Sequence, residues 1–244
     1  MDEQAQMLAS RTPGQGKQGL IWLITAAVVT VLLWQFSWGN YVLYPFTILA
    51  TWFHEMGHGL MASLLGGKFN QLLIFANGSG LAEQSVPHSF GPLRHALVAA
   101  AGPMGPPIAG AGLILASRRF RSAQVSLVVL GTVLLLSTLL WVRSIFGLVM
   151  IPALGVITLG IGVYGSAWVR GFAVQFLGVQ ACISAYQQIN YLFSYGAVIG
   201  GREMLSDTAQ IANSLLLPYW FWGALITLLS LALLVQSLWM AYRD

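Results

Sequence analysis

Long apolar stretches that carry few charges dominate this sequence of 244 residues. Hydrophobic residues make up 57% of the chain and charged residues only 7%, whereas an ordinary soluble domain carries roughly 25% charged residues. About six to seven stretches approach the ~17 to 25 residues that a helix needs to cross the hydrocarbon core. Because unpaired backbone groups are too costly in lipid, these stretches must form helices that pack together. The sequence therefore predicts an all-α polytopic membrane protein.

The expected membrane helices account for most of the chain. Their predicted bounds are 20–36, 41–65, 93–117, 123–141, 145–165, 171–193 and 215–241. Residues 1–19 are interpreted as a polar N-terminal tail and residues 20–244 as one membrane-embedded domain. No small-residue cleavage site follows the first stretch, which favours a retained span over a removed signal peptide. Three prolines at 103, 106 and 107 favour a kinked or partly unwound third helix, because each proline removes a backbone donor.

Two polar segments separate these helices. In residues 68–84, a run of apolar residues precedes Asn-Gly-Ser-Gly at 77–80, a pattern that predicts a short β-hairpin. Such a hairpin either binds an extended peptide by edge pairing or serves only as a connector. Residues 194–213 form the second polar segment, between the sixth and seventh predicted spans.

The pentapeptide His54-Glu55-Met56-Gly57-His58 lies inside the second apolar stretch. At ~100° per residue, His58 lies only ~40° around the helix from His54 and about one turn further along, so both imidazoles can reach one metal ion. In the H-E-x-x-H pattern the histidines bind zinc and Glu55 can act as general base. Ionisable residues inside a membrane are costly, which favours a functional role for all three.

A catalytic zinc ion takes three protein ligands, so two histidines leave the set incomplete. The single cysteine, Cys182, excludes a cysteine-based site. Three of the seven acidic residues lie at the termini and Glu55 is assigned as base, which leaves Glu83, Glu203 and Asp207. Asp207 is the preferred ligand because it precedes the last apolar helix and could point back into the bundle. It could also cap a helix N-terminus, and the two roles are compatible.

Other polar residues are alternatives. Glu203 is a less favoured ligand, and its simpler interpretation is a solvated loop charge. Glu83 is interpreted as a hairpin surface residue. His88 and His95 flank the third span and are more often interfacial or packing residues than metal ligands. Asn190 and Asn213 are ordinary helix residues or, near the site, groups that hold the substrate backbone.

The chain resembles the site-2 protease class of intramembrane zinc metallopeptidases, in particular its small bacterial-type members. The likeness rests on the H-E-x-x-H pentapeptide in a membrane helix, the hairpin after it, and Ala101-Gly102-Pro103 in a proline-rich span. It implies that His54, His58 and a later-helix aspartate bind Zn²⁺ and that Glu55 activates water. The family's usual third-ligand segment, an asparagine and prolines followed by Leu-Asp-Gly, has no counterpart, and Asp207 lies instead in Leu-Ser-Asp-Thr at 205–208.

The function predicted on these grounds is that of a zinc metalloendopeptidase of a bacterial-type cell membrane, which hydrolyses membrane protein or peptide substrates within or near the bilayer. One alternative is a non-catalytic scaffold or chaperone that retains the zinc site, and a second is an ion-coupled transporter. Glu55 disfavours the scaffold, since zinc binding alone does not require it. A transporter would show inverted repeats or paired broken helices. The net charge of +4 gives no reason to expect nucleic-acid binding.

Overall fold

The structure is a computed structural model that describes residues 17–242, without the side chains of residues 17–23 and 185. Helices and short strands alternate along these residues in the following order: α1 (Lys17–Leu33), α2 (Ser37–Leu64), β1 (Lys68–Ile74), β2 (Gly80–Ser85), α3 (Pro92–Ala116), α4 (Phe120–Leu140), α5 (Ile145–Tyr164), α6 (Ala167–Gln187), α7 (Ile189–Leu192), β3 (Gly196–Ile199), β4 (Arg202–Leu205), α8 (Asp207–Ser214) and α9 (Tyr219–Tyr242). The polar tail predicted over residues 1–19 lies outside the described residues as far as position 16.

Helices make up most of the described chain, as predicted. Four of them, α3, α4, α5 and α9, are long and apolar enough to cross a membrane, and Ile24–Leu33 of α1 is a shorter apolar helix. Each of the seven predicted stretches contains a helix. The number of spans, six to seven, stays a prediction, because four helices in the described part of the chain meet the length and hydropathy of a span.

The proline-rich segment forms one continuous helix, so the predicted partial unwinding is wrong. Helix α3 contains Pro103, Pro106 and Pro107, and all three are buried. It lies at the centre of the bundle, where it packs against α2, α6, α8 and α9. Neighbouring helices on several sides therefore hold the helical backbone in spite of the missing donors.

Glycines bring α2 and α3 into backbone contact. A Cβ on Gly57 would clash with the carbonyl oxygen of Ala101, and a Cβ on Gly105 would clash with the carbonyl oxygen of Phe53. Small residues that let helix backbones approach closely are typical of membrane helix packing. The contact fixes the H-E-x-x-H turn of α2 against the middle of α3.

The predicted hairpin is confirmed. Strand β1 pairs antiparallel with β2, with Leu72 opposite Ala82, and Gly78 at the turn has φ +87°. The other edge of β1 is partly occupied, because the Leu72 N–H donates to the carbonyl of Trp141 and the Leu72 carbonyl accepts from the Arg143 N–H. The hairpin is thereby fixed between α2 and the connection from α4 to α5.

The sequence analysis missed a second hairpin in the polar segment 194–213. Strands β3 and β4 pair antiparallel across Gly200 and Gly201, whose φ angles are +58° and +81°. The signal was present, since a two-residue Gly-Gly turn is typical of a tight hairpin. Gly200 lies against the ring of Phe75, so the second hairpin touches the first.

A buried hydrogen bond between α2 and α4 provides a test of this packing. The Trp52 indole N–H donates to Ser137 Oγ at 3.0 Å, and both residues are buried. Ser137→Ala is expected to lower the free energy of unfolding by about 1–3 kcal/mol, because it leaves the buried indole N–H without its acceptor. Thermal unfolding in detergent measures the change.

Ser230 is the matched control for this substitution. Its hydroxyl is also buried, in α9, but it donates to the carbonyl of Ile226 in its own helix and makes no hydrogen bond to another element within residues 17–242. Ser230→Ala is expected to cost less than about 1 kcal/mol. Equal destabilisation by the two substitutions would contradict a role for Ser137 in joining α2 to α4.

Candidate metal centre

Helix α2 directs its two histidines towards α3 and α8, and it directs Glu55 towards the first hairpin. His54 and Glu55 are buried, and His58 is nearly so. The Nε2 atoms of His54 and His58 lie 3.2 Å apart, as the spacing of four residues predicts.

Asp207 reaches these imidazoles from the first residue of α8. Its Oδ2 lies 3.0 Å from the Nε2 of His54, and its Oδ1 lies 3.2 Å from the Nε2 of His58. The cap of α8 is the preceding residue, Ser206, whose Oγ accepts from the N–H of Ala209 at 3.2 Å. Because Ser206 caps the helix, the Asp207 carboxylate is left to face the histidines.

Among the described residues, three side chains form a group that could hold a metal ion, namely His54, His58 and Asp207. Their ligand atoms all lie within 4.8 Å of one another. The carboxylates weighed as alternatives lie elsewhere. Glu203 is exposed in β4, and Glu83 accepts from the Gln71 side-chain amide at 2.6 Å across the first hairpin.

The histidines and asparagines weighed as alternatives also lie outside this group. His88 and Asn190 are exposed. His95 packs edge-on against the ring of Phe90 at 5.1 Å between centroids. Asn213 is exposed on α8, where it lines a cavity that also borders His58.

The hydrogen bonds on the far side of each imidazole fix where its lone pair points. His58 Nδ1 donates to the backbone carbonyl of Val98 at 2.8 Å, and His54 Nδ1 lies 3.1 Å from Gln188 Oε1. A neutral imidazole that donates from Nδ1 carries its lone pair on Nε2. Both lone pairs therefore converge on the Asp207 carboxylate.

A cation fits this convergence of lone pairs. Asp207 Oδ2 is buried and lacks a hydrogen-bond partner within residues 17–242, although the His54 Nε2 is only 3.0 Å away. Two imidazole nitrogens and one carboxylate oxygen are a donor set that catalytic zinc accepts, with a fourth position left for water or substrate. The chemistry of the three side chains is thus consistent with zinc.

The Asp207 carboxyl responds to positive charge beside it. Burial by itself would raise its pKa, but the His58 and His54 imidazoles, in their protonated form, hold that pKa well below its usual range. A metal cation held between neutral imidazoles would act on the carboxyl in the same direction. An ionised carboxylate is the form that binds a metal ion.

Glu55 is held against the first hairpin. Its Oε2 accepts the backbone N–H of Ala82 at 2.7 Å. A Cβ on Gly80 would lie 2.7 Å from the Glu55 Cγ and 3.0 Å from its Oε1, so only glycine lets β2 approach so closely. The hydrogen bond orients the carboxylate and leaves Oε1 as the oxygen that can take up a proton.

Cavities border the centre on two sides. One of about 320 Å³ has His54 and Glu55 in its wall, together with the turn of the first hairpin and residues 197–199 of β3. Another of about 360 Å³ borders His58 and is lined in part by His95 and Gln210. Both cavities therefore provide space for water beside the histidines.

Three residues of the site escaped the sequence analysis. Gln188 holds His54, and the hydroxyl of Tyr191 accepts the backbone N–H of Asp207 at 3.2 Å. A Cβ on Gly102 would clash with the His58 imidazole. Gln188 and Tyr191 give no signal in the sequence, whereas Gly102 belongs to the Ala-Gly-Pro segment on which the family resemblance rests.

Comparison with known families assigns the chain. The family model described as Peptidase M50B-like matches residues 22–237. The chain belongs to this family. The match includes the H-E-x-x-H pentapeptide, both hairpins and Asp207, and it supports the resemblance to site-2 proteases. Curated proteins and solved structures give no match.

Gly102 provides a test of the site's packing within this M50B-like chain. Gly102→Ala is expected to displace the His58 ring and lower zinc affinity, because the new methyl group would occupy the position of the imidazole. Gly112, on the same helix, has open space where a Cβ would lie, so Gly112→Ala should leave zinc affinity unchanged. Competition with a zinc chelator measures both, and equal affinities would contradict the contact.

Proposed function

We propose that this member of the Peptidase M50B-like family is an intramembrane zinc metalloprotease. The proposed ligands are His54, His58 and Asp207, and the proposed general base is Glu55. The observation that carries the proposal is the convergence of the Nε2 atoms of two imidazoles on the Asp207 carboxylate, with Glu55 on the same helical turn. Membership of a peptidase family and apolar helices long enough to cross a bilayer support it.

Glu55 performs the proton transfer in this proposal. Bound zinc would act as a Lewis acid that polarises the scissile carbonyl and makes a water molecule more acidic. The Ala82 N–H holds Glu55 Oε2, so Oε1 takes the proton from the water and later passes it to the leaving amine. The cavity beside Glu55 provides the path by which that water arrives.

The proposed substrates are membrane proteins or peptides in an extended conformation. A helical peptide keeps its carbonyl groups hydrogen-bonded within the helix, which hides them from the centre. The cavity beside Glu55, of about 320 Å³, is bordered by residues 197–199 of β3 and by the turn of the first hairpin. A helical substrate would have to unwind locally before its peptide carbonyl could reach the centre.

Glu55→Gln separates catalysis from metal binding. The amide keeps the shape of the carboxylate and an oxygen that can accept the Ala82 N–H, but it cannot take a proton. Zinc content should equal that of the wild type, and cleavage of a model transmembrane substrate should fall by about 10²- to 10⁴-fold. Wild-type protein that binds zinc and cleaves no faster than Glu55→Gln would favour the scaffold function instead.

Asp207→Ala tests the third ligand. Its zinc affinity should fall by more than the roughly 10- to 100-fold typical of losing an outer-shell partner, because a charged ligand is removed. Glu203→Ala is the control, since that carboxylate is exposed in β4, away from the histidines. Unchanged zinc affinity in Asp207→Ala would show that the third ligand lies elsewhere.

A further inference from the structure

His54 and His58 are supported in different ways. The Nδ1 of His58 donates to a backbone carbonyl of α3, whereas the Nδ1 of His54 faces the side-chain oxygen of Gln188 at 3.1 Å. We propose that Gln188 is a positioning residue that sets the tautomer and ring orientation of His54. The inference rests on the proposed zinc site, and it names a residue that does not itself touch the metal.

The backbone around Gln188 is fixed on both sides. Gln188 lies between the last residue of α6 and the first residue of α7, with φ −87° and ψ 4°. Its N–H donates to the carbonyl of Ser184 at 3.1 Å, and its carbonyl accepts from the N–H of Leu192 at 2.9 Å. The side chain therefore leaves a turn whose backbone is held by hydrogen bonds, so that placing it near His54 costs only its own rotamer freedom.

The tautomer of His54 decides whether the site can bind a cation. A neutral imidazole carries one proton, on either Nδ1 or Nε2. With the proton on Nδ1, the ring donates to Gln188 and offers its Nε2 lone pair to a metal ion. With the proton on Nε2, the ring would donate to Asp207 Oδ2, which lies 3.0 Å away. Neither His54 Nε2 nor Asp207 Oδ2 would then be free to bind a metal ion. Gln188 favours the first arrangement because it presents Oε1, and not its NH₂ group, to Nδ1.

The adjacent residue provides a matched control. Gln187 lines the same cavity beside His54 and Glu55, but its side chain makes no hydrogen bond to either imidazole in the described part of the chain. Two glutamines that are neighbours in sequence and border the same cavity thus differ in the contact with His54 Nδ1.

The test of this role is the zinc affinity of the 244-residue protein in detergent, measured by competition with a chelator. Gln188→Leu, which has a similar size but no acceptor, is expected to lower zinc affinity by about 10- to 100-fold. Gln188→Glu restores an acceptor at the same distance and should recover most of the loss. Gln187→Leu should match the wild type. Cobalt-substituted protein should show a changed visible spectrum for Gln188→Leu and an unchanged one for Gln187→Leu.

Each outcome bears on the inference. Wild-type affinity in Gln188→Leu, with zinc bound to the wild type, would overturn the role of Gln188 and leave the zinc site standing. Equal losses in Gln188→Leu and Gln188→Glu would also overturn it, because the acceptor would then not matter. If Gln188→Leu does not fold, Gln188→Asn replaces it, since its shorter amide cannot reach Nδ1 and should still lower affinity relative to Gln188→Glu. Wild-type protein without zinc would overturn the metal site and this inference together.

Discussion

The backbone contact between α2 and α3 determines most of what surrounds the candidate metal centre. Gly57 and Gly105 let the two helices meet without intervening side chains, and Gly102 leaves room for the His58 ring. At that distance the Val98 carbonyl of α3 can accept from His58 Nδ1. One close helix pair thus provides the room for an imidazole and the acceptor that orients it.

The elements that were predicted correctly are those with a local signal. The apolar stretches, the first hairpin and the geometry of the H-E-x-x-H turn follow from short-range periodicity and turn chemistry. The proximity of Asp207 to both histidines agrees with a choice made by elimination among few carboxylates. The choice was narrow because a chain with so few charges leaves few candidates.

The features that escaped prediction depend on contacts between distant segments. Gln188 is 134 positions from His54 along the chain, and nothing in its neighbourhood distinguishes it from Gln187. The N–H of Ala82 is a backbone group that nearly every residue carries, so no sequence pattern could associate it with Glu55. The continuous helix through three prolines arises in the same way, because the packing of neighbouring helices outweighs the local tendency to unwind.

The contact of Gly200 with the Phe75 ring joins the tips of two hairpins that both border the cavity beside Glu55. Under the proposed function, a polypeptide substrate could not enter sideways beneath joined tips, so it would have to enter by a free end or after the tips separate. Burial of a phenylalanine side chain stabilises by at most about 1.5–3 kcal/mol, and Phe75 is only half-buried. If that contact alone holds the tips together, the tips would be separated in at least roughly one molecule in a hundred. Access to the cavity would then depend on how often the tips separate and would not require the protein to unfold.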